Sequence, residues 1–306
     1  MLGSLLVPFM QVVSIGEILW DVIGGNEFLG GAPLNLCAHL ARLGRKAVMV
    51  TAVGNDERGR RAARDACALG IDTRFVHFTS HAPTGISEVV LDKEGKATHH
   101  LLRPAAYDFL ALSLEERQSL AAEKPEWISF GTLAQREAGP RLLLRNLRKD
   151  NPDAQRFYDA NLRTGQWTKQ LVTDLLAEAT AVKLNDEEAV CLAGLFDWPL
   201  RSFQQFSERA AERFQLDLVC VTRGAAGCAL WREGVYVEHP GFRVNVADTV
   251  GSGDAFSAAL LHGLDRGWPL ADIAEFANRV GALVAARPGA TPVWTEGEAL
   301  ALGKEA

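Results

Sequence analysis

Apolar positions along this chain change their period again and again, and the alternation predicts an architecture. Short runs rich in β-branched and apolar residues at 11–15, 46–53, 127–130, 156–160, 181–184 and 217–222 read as buried strands. Between them the apolar residues fall at helical spacing. Leu34, Ala38, Leu40 and Leu43 form one face, with Pro33 suited to a first helical position. An Arg-rich amphipathic segment spans 57–69 and closes at Gly70, and a basic one spans 137–149. Ser113 and Glu116 are spaced as a capping box. Ala255, Phe256, Ala259, Leu260 and Leu264 mark a further helix, and 271–287 an Ala-rich one ending at Pro288-Gly289-Ala290. Two hairpins are expected, 87–92 with 97–102 across residues 93–96, and 228–231 with 235–238. Strands alternating with helices predict an α/β fold, a mostly parallel sheet covered by helices on both faces. Repeats, linkers and low-complexity tracts are absent, so one domain over 1–306 is expected.

Composition narrows the class. A chain of 306 residues with 48% hydrophobic and 23% charged residues can bury a large core. The formal net charge of -6 disfavours a general nucleic-acid binder, and no apolar run reaches membrane-span length. The opening ten residues are apolar but follow no Lys or Arg, which speaks against a secretory signal and for a cytoplasmic protein. Cys37, Cys67, Cys191, Cys220 and Cys228 are odd in number and lack a Cys-x-x-Cys pair, the pattern of free thiols in a reducing compartment.

The chemistry concentrates in Asp248-Thr-Val-Gly-Ser-Gly-Asp254. Gly251 and Gly253 bracket Ser252, so the backbone bends freely just before a helix starts. Unpaired amides and the positive end of the helix dipole then converge on one spot suited to phosphate. Asp254, a carboxylate in that first turn, has no electrostatic use in a pure phosphate grip. It suits a general base that takes a proton from a hydroxyl attacking phosphorus. Plain helix capping is the competing reading of the turn taken alone.

The motif resembles the C-terminal signature of the ribokinase-like (PfkB-type) carbohydrate kinases, and the likeness runs through nearly the whole chain in order. It implies a three-layer ribokinase-like sandwich with a small β lid, contributed here by about 17–30 and 86–103. It also implies ATP and magnesium. By the resemblance, the amides of Gly251, Ser252 and Gly253 form an anion hole and Asp254 is the base; Ser252 stands where the family more often has Ala. Asn185-x-x-Glu188 matches a motif associated with magnesium and the phosphates, held here through water. Acids in a first helical turn also simply complement the dipole. Thr222, Gly224 and Gly227 resemble the nucleotide-binding turn, and Asn278 and Gly289 parts of the adenine pocket. Asp248 stands where many members hold a monovalent cation, which would be potassium. Arg223 departs from the family's pattern and is assigned no role.

The substrate end is most similar to the family's fructokinases. Gly16-Glu17 with Asp21, followed by Gly30-Gly-Ala-Pro-x-Asn35, places Asp21, Gly31 and Asn35 against sugar hydroxyls, and Arg103 toward the substrate. Asp159, Asn161 and Arg163 alternate at the end of the 156–160 strand, which predicts one shared face at the carboxyl edge of the sheet. D-fructose is the expected substrate. A 2-keto-3-deoxy sugar acid is the nearest rival, because Arg103 or Arg163 can pair with a carboxylate. A nucleoside would need a stacking aromatic, for which Trp20 or Phe28 is available. A catalytically silent sugar-sensing protein of the same fold is the non-enzyme alternative. Open lid strands suggest a homodimer through the lid.

Overall fold

The computed structural model describes residues 11–91 and 97–303, so the opening decamer and the hairpin turn at 93–96 lie outside the described residues. The chain runs β1 (Gln11–Ile15), β2 (Leu19–Ile23), β3 (Asn26–Gly30), α1 (Ala32–Arg42), β4 (Lys46–Gly54), α2 (Glu57–Ala68), β5 (Asp72–Thr79), β6 (Gly85–Leu91) and β7 (Ala97–Leu101). It continues α3 (Leu114–Ala122), β8 (Trp127–Gly131), α4 (Ala138–Asp150), β9 (Gln155–Asp159), α5 (Lys169–Glu178), β10 (Ala181–Asn185), α6 (Asp186–Leu195) and α7 (Phe203–Phe214). Last come β11 (Leu218–Thr222), β12 (Cys228–Arg232), β13 (Val235–His239), α8 (Ser252–Asp265), α9 (Leu270–Ala285) and α10 (Glu296–Ala301).

Nine strands form one sheet in the order β13-β12-β11-β10-β9-β8-β1-β4-β5. All pairs from β11 to β5 are parallel, and β12 and β13 add an antiparallel edge. This is the expected α/β sandwich. Successive side chains of a strand face opposite layers, and β4 shows it: Ala47 and Met49 join the core under α1, α8 and α9, while Val48 and Val50 join the core on the side of α4 to α7. Chain order reverses where β1 lies between β4 and β8, which opens a crevice at the carboxyl ends of those strands.

A second sheet, β3-β2-β6-β7, forms the lid. Its strands agree with the 17–30 and 86–103 segments, though residues 17–21 do not prolong β1. They leave the main sheet at Gly16, where a Cβ would lie 2.4 Å from Pro33 Cγ at the head of α1. Glu27 on β3 ties the lid to the body through Arg58 and Arg61 of α2, each at 2.7 Å. Trp20 of β2 lies beneath Arg61, 4.3 Å from guanidinium carbon to ring centre, and its indole N–H donates to the Arg58 carbonyl at 3.1 Å.

Because the Glu27 ion pairs are part-exposed, removing them should loosen the lid without unfolding the protein. In Glu27→Gln, amide hydrogen exchange in β2 and β3 should quicken on the order of a few-fold. Exchange in β1 and β4 should stay at the parent rate. Equal acceleration in both sheets would show that Glu27 does not act on the lid alone.

Candidate active site

Helix α8 begins at a turn that only glycine can make. Gly251 has φ 77°, and a Cβ there would lie 2.2 Å from the Ala290 carbonyl oxygen. Gly251, Gly253 and Asp254 line a cavity of about 330 Å³ at the crevice, closed from above by Leu19, Asp21, Ser87 and Leu101 of the lid. Asp159, Asn161 and Arg163 also line it, as do Gly31 and Asn35. The structure thus brings the sugar-side residues and the base candidate together. It does so by a different route at 159–163: β9 ends at Asp159, and Asn161 takes the left-handed φ of 40°. Strand alternation is not what gathers those three side chains; a bent loop is.

Asp254 accepts a hydrogen bond from Asn35 Nδ2 at 2.8 Å. Burial pushes its carboxyl up to about 6, helped by the charge of Asp159, while Lys183, the Asn35 bond and Arg163 pull it back. Lys183 is the residue that the sequence reading missed. It rises from the middle of β10 into the cavity and donates to both oxygens of Asp159, at 3.1 and 3.2 Å. Burial alone would push this ammonium down. The carboxylates of Asp159, Glu188 and Asp254 outweigh that and hold it above its ordinary value, so it stays charged. Gly253 makes room for it, since a Cβ would stand 3.2 Å from Nζ. Ser257 Oγ, one turn after Asp254, also donates to Asp159 at 2.9 Å. Glu17, at the end of β1, is pushed up to about 7 by burial, against its own amide and Arg163, and with Asp254 adding to the rise.

The geometry is that of a site where a hydroxyl meets a carboxylate beside a fixed positive charge and a helix N-terminus. The pfkB family carbohydrate kinase model matches residues 2–296 of this chain. The chain belongs to that family. Fructokinase-1 of Zea mays is 29% identical over 320 residues, covering 99% of this chain and 97% of that protein. An uncharacterized sugar kinase of Pyrococcus horikoshii, solved in complex with ATP, superposes with a TM-score of 0.81 at 26% identity, over 96% of this chain and 98% of its own. A fructokinase of Vibrio cholerae, solved with fructose, ADP and a calcium ion, gives a TM-score of 0.79 at 25% identity, over 96% and 99%.

In this carbohydrate kinase several expected residues are otherwise engaged. Ser252 does not line the cavity; its amide and its hydroxyl both donate to the Thr249 carbonyl, at 3.3 and 2.8 Å. Arg103 pairs with Asp108 at 3.0 Å and Glu137 at 2.6 Å and lies outside the cleft, because two carboxylates next to it satisfy its charge. Asn278 is buried, and its two amide hydrogens go to the Ala274 carbonyl at 2.7 Å and to Cys228 Sγ at 3.1 Å. Both donors of this amide are therefore taken by the protein. Gly227, with φ 84°, lets the chain pass the His239 carbonyl, which a Cβ would meet at 1.9 Å. Gly224 and Gly289, by contrast, have open space where a Cβ would stand, and Thr222 Oγ1 donates to the Leu184 carbonyl at 3.3 Å. Trp20 is buried and Phe28 faces solvent, and neither lines the cavity. Phe130 of β8 does line it, so an aromatic surface remains at the cleft.

The metal candidates already carry bonds within the protein. Asn185 and Glu188 cap α6 reciprocally at 2.8 Å in each direction, and the second oxygen of Glu188 accepts the Leu162 amide at 2.6 Å. The capping reading therefore holds. Direct coordination does not fit, while the remaining lone pairs suit a water-carried magnesium. Among the described residues no group of three or more His, Cys, Asp or Glu could hold a metal ion. Asp248 joins two loops, accepting the Val250 amide at 3.0 Å and the Gly289 amide at 3.1 Å.

A raised carboxyl pKa has a cost for folding, and its sign is fixed. The penalty is absent below the unfolded-chain value and complete above the folded one, so it accumulates as pH rises from the ordinary carboxylate range to about 6. Asp254→Asn should therefore be more stable to urea than the parent at pH 8, by up to about 3 kcal/mol, and show no advantage at pH 4. A variant less stable than the parent at pH 8 would mean that Asp254 is not strained by its burial.

Proposed function

We propose that this carbohydrate kinase transfers the γ-phosphoryl group of ATP to D-fructose, with Asp254 as the base. The observation that carries the reading is the Asp254 carboxylate itself, fixed by Asn35 on the sugar side and placed in the first turn of α8 on the phosphate side. Asp21 and Asn35 would hold neighbouring sugar hydroxyls, since a carboxylate and an amide can each serve two. The reacting hydroxyl gives its proton to Asp254, and the Gly251 and Gly253 amides meet the transferred phosphoryl oxygens. Lys183 supplies positive charge under that turn. Glu188 and Asn185 would hold magnesium through water, and the ion would supply charge compensation at the phosphates. Thr222, Gly224 and Gly289 border the nucleotide, and Asp248 is offered for a monovalent cation. Lid closure excludes water from the transfer. The exposed edge of the lid, where Phe28 is 51% accessible, suits a second copy of the chain.

Fructose is favoured by the fructokinases among the relatives, one of them solved with fructose bound. A 2-keto-3-deoxy sugar acid stays as the second reading on one observation. Arg163 lines the cavity and makes no ion pair among the described residues, so it is available to a carboxylate.

Coupled ADP release with fructose, ribose, a keto-deoxy sugar acid and adenosine should give the highest kcat/KM for fructose. Preference for the acid, lost in Arg163→Leu, would replace fructose with the second reading. Asp254→Asn should lower turnover on the order of 10²–10⁴.

Turnover of the parent should rise with pH through about 6, as Asp254 loses its proton. Lys183→Met removes a cation that favours the ionised base. Its acid limb should move upward by about one unit. An unmoved limb would show that the limb belongs to some other group.

A further inference from the structure

Helix α1 points three polar side chains at three parts of the site, at positions 35, 39 and 42. Asn35 holds Asp254. One turn later, His39 Nε2 lies 3.0 Å from the Ala290 carbonyl oxygen, and Arg42 Nη2 donates to the Thr291 carbonyl at 2.9 Å. The Trp294 indole N–H donates to His39 Nδ1 at 3.1 Å. An indole nitrogen can only donate, so Nδ1 accepts and Nε2 carries the hydrogen that Ala290 receives. Burial pushes the imidazole down to about 4, so near neutrality it is uncharged and fixed in this one tautomer.

The Ala290 carbonyl is no ordinary acceptor. It is the group against which Gly251 is packed, and its neighbour Gly289 donates to Asp248. The turn at 289–291 therefore backs the turn at 248–251, and His39 grips it from the far side. His39 is fully buried and does not line the cavity, whereas Pro33, Asn35 and Leu36 of the same helix do.

We propose that His39 is a positioning residue for phosphoryl transfer: by holding the Ala290 carbonyl it fixes the turn at Gly251, so that one helix sets both the base and the phosphate cradle. The proposal rests on reading Gly251–Asp254 as the transfer site. A cradle displaced by about 1 Å can cost on the order of 10² in rate while leaving the sugar contacts in place.

The test uses the full chain with fructose and ATP, and three variants. In His39→Leu the grip is lost, and kcat should fall at least about tenfold, while fructose affinity by calorimetry stays within about twofold. In His39→Gln the amide can still donate to Ala290 and accept from Trp294, and kcat should return to within about threefold of the parent. Should the leucine variant not fold, Trp294→Phe frees the ring to change tautomer and should lower kcat with fructose affinity kept. Parent-like turnover in His39→Leu or Trp294→Phe overturns the proposal. So does joint loss of turnover and fructose affinity with Gln no better than Leu. A parent chain that phosphorylates none of the four substrates in the panel overturns the reading of the site, and the positioning role with it.

Discussion

A carboxylate out of bulk water beside a second carboxylate needs a positive charge close by, and in this protein Lys183 is that charge. Its ammonium sits under the turn at Gly253, bonded to Asp159 and within electrostatic reach of Asp254 and Glu188. Removing Lys183 would leave three carboxylates buried with no ammonium beside them, so all three depend on that one cation. The surrounding architecture serves to bring these charges together. β9 delivers Asp159, β10 and the helix that follows it deliver Lys183 and Glu188, and α8 delivers Asp254 from much later in the chain.

The parallel sheet explains why this is possible. At the crevice where chain order reverses, the carboxyl ends of adjacent strands release their loops on the same side, and the start of α8 faces them. The lid covers the crevice from a separate sheet, joined to the body by ion pairs at Glu27 and by the buried side chains of Leu19 and Trp20. A rigid floor and a cover on its own sheet suit a kinase, which must admit a sugar and then exclude water.

Several side chains read as ligand contacts also carry structural bonds. Arg103 pairs with two carboxylates, the Asn278 amide donates to protein acceptors, and Asn185 and Glu188 cap a helix while keeping lone pairs free. Whether a polar side chain faces a ligand depends on what surrounds it in space. Glu188 shows that the two are not exclusive, since its carboxylate caps α6 and still shapes the field around Lys183.

While the lid segments came from the family resemblance, the sequence by itself determined the alternation of strands and helices, the glycine turn and the acid that follows it. These are local properties: side-chain period, turn chemistry and residue spacing act over a few residues. β5, α5 and α7 went unread: β5 mixes polar and apolar side chains at the sheet edge, which blurs its period, whereas the apolar face of α7 at Phe206, Ala210 and Ala211 is a legible signal. A lysine in the buried run Ala181–Asn185 was a visible anomaly, yet its meaning depended on three carboxylates contributed by other elements. Likewise the tautomer of His39 is set by Trp294, 255 positions away. Charge pairing and proton placement are decided by neighbours in space, so only the tertiary structure could assign them.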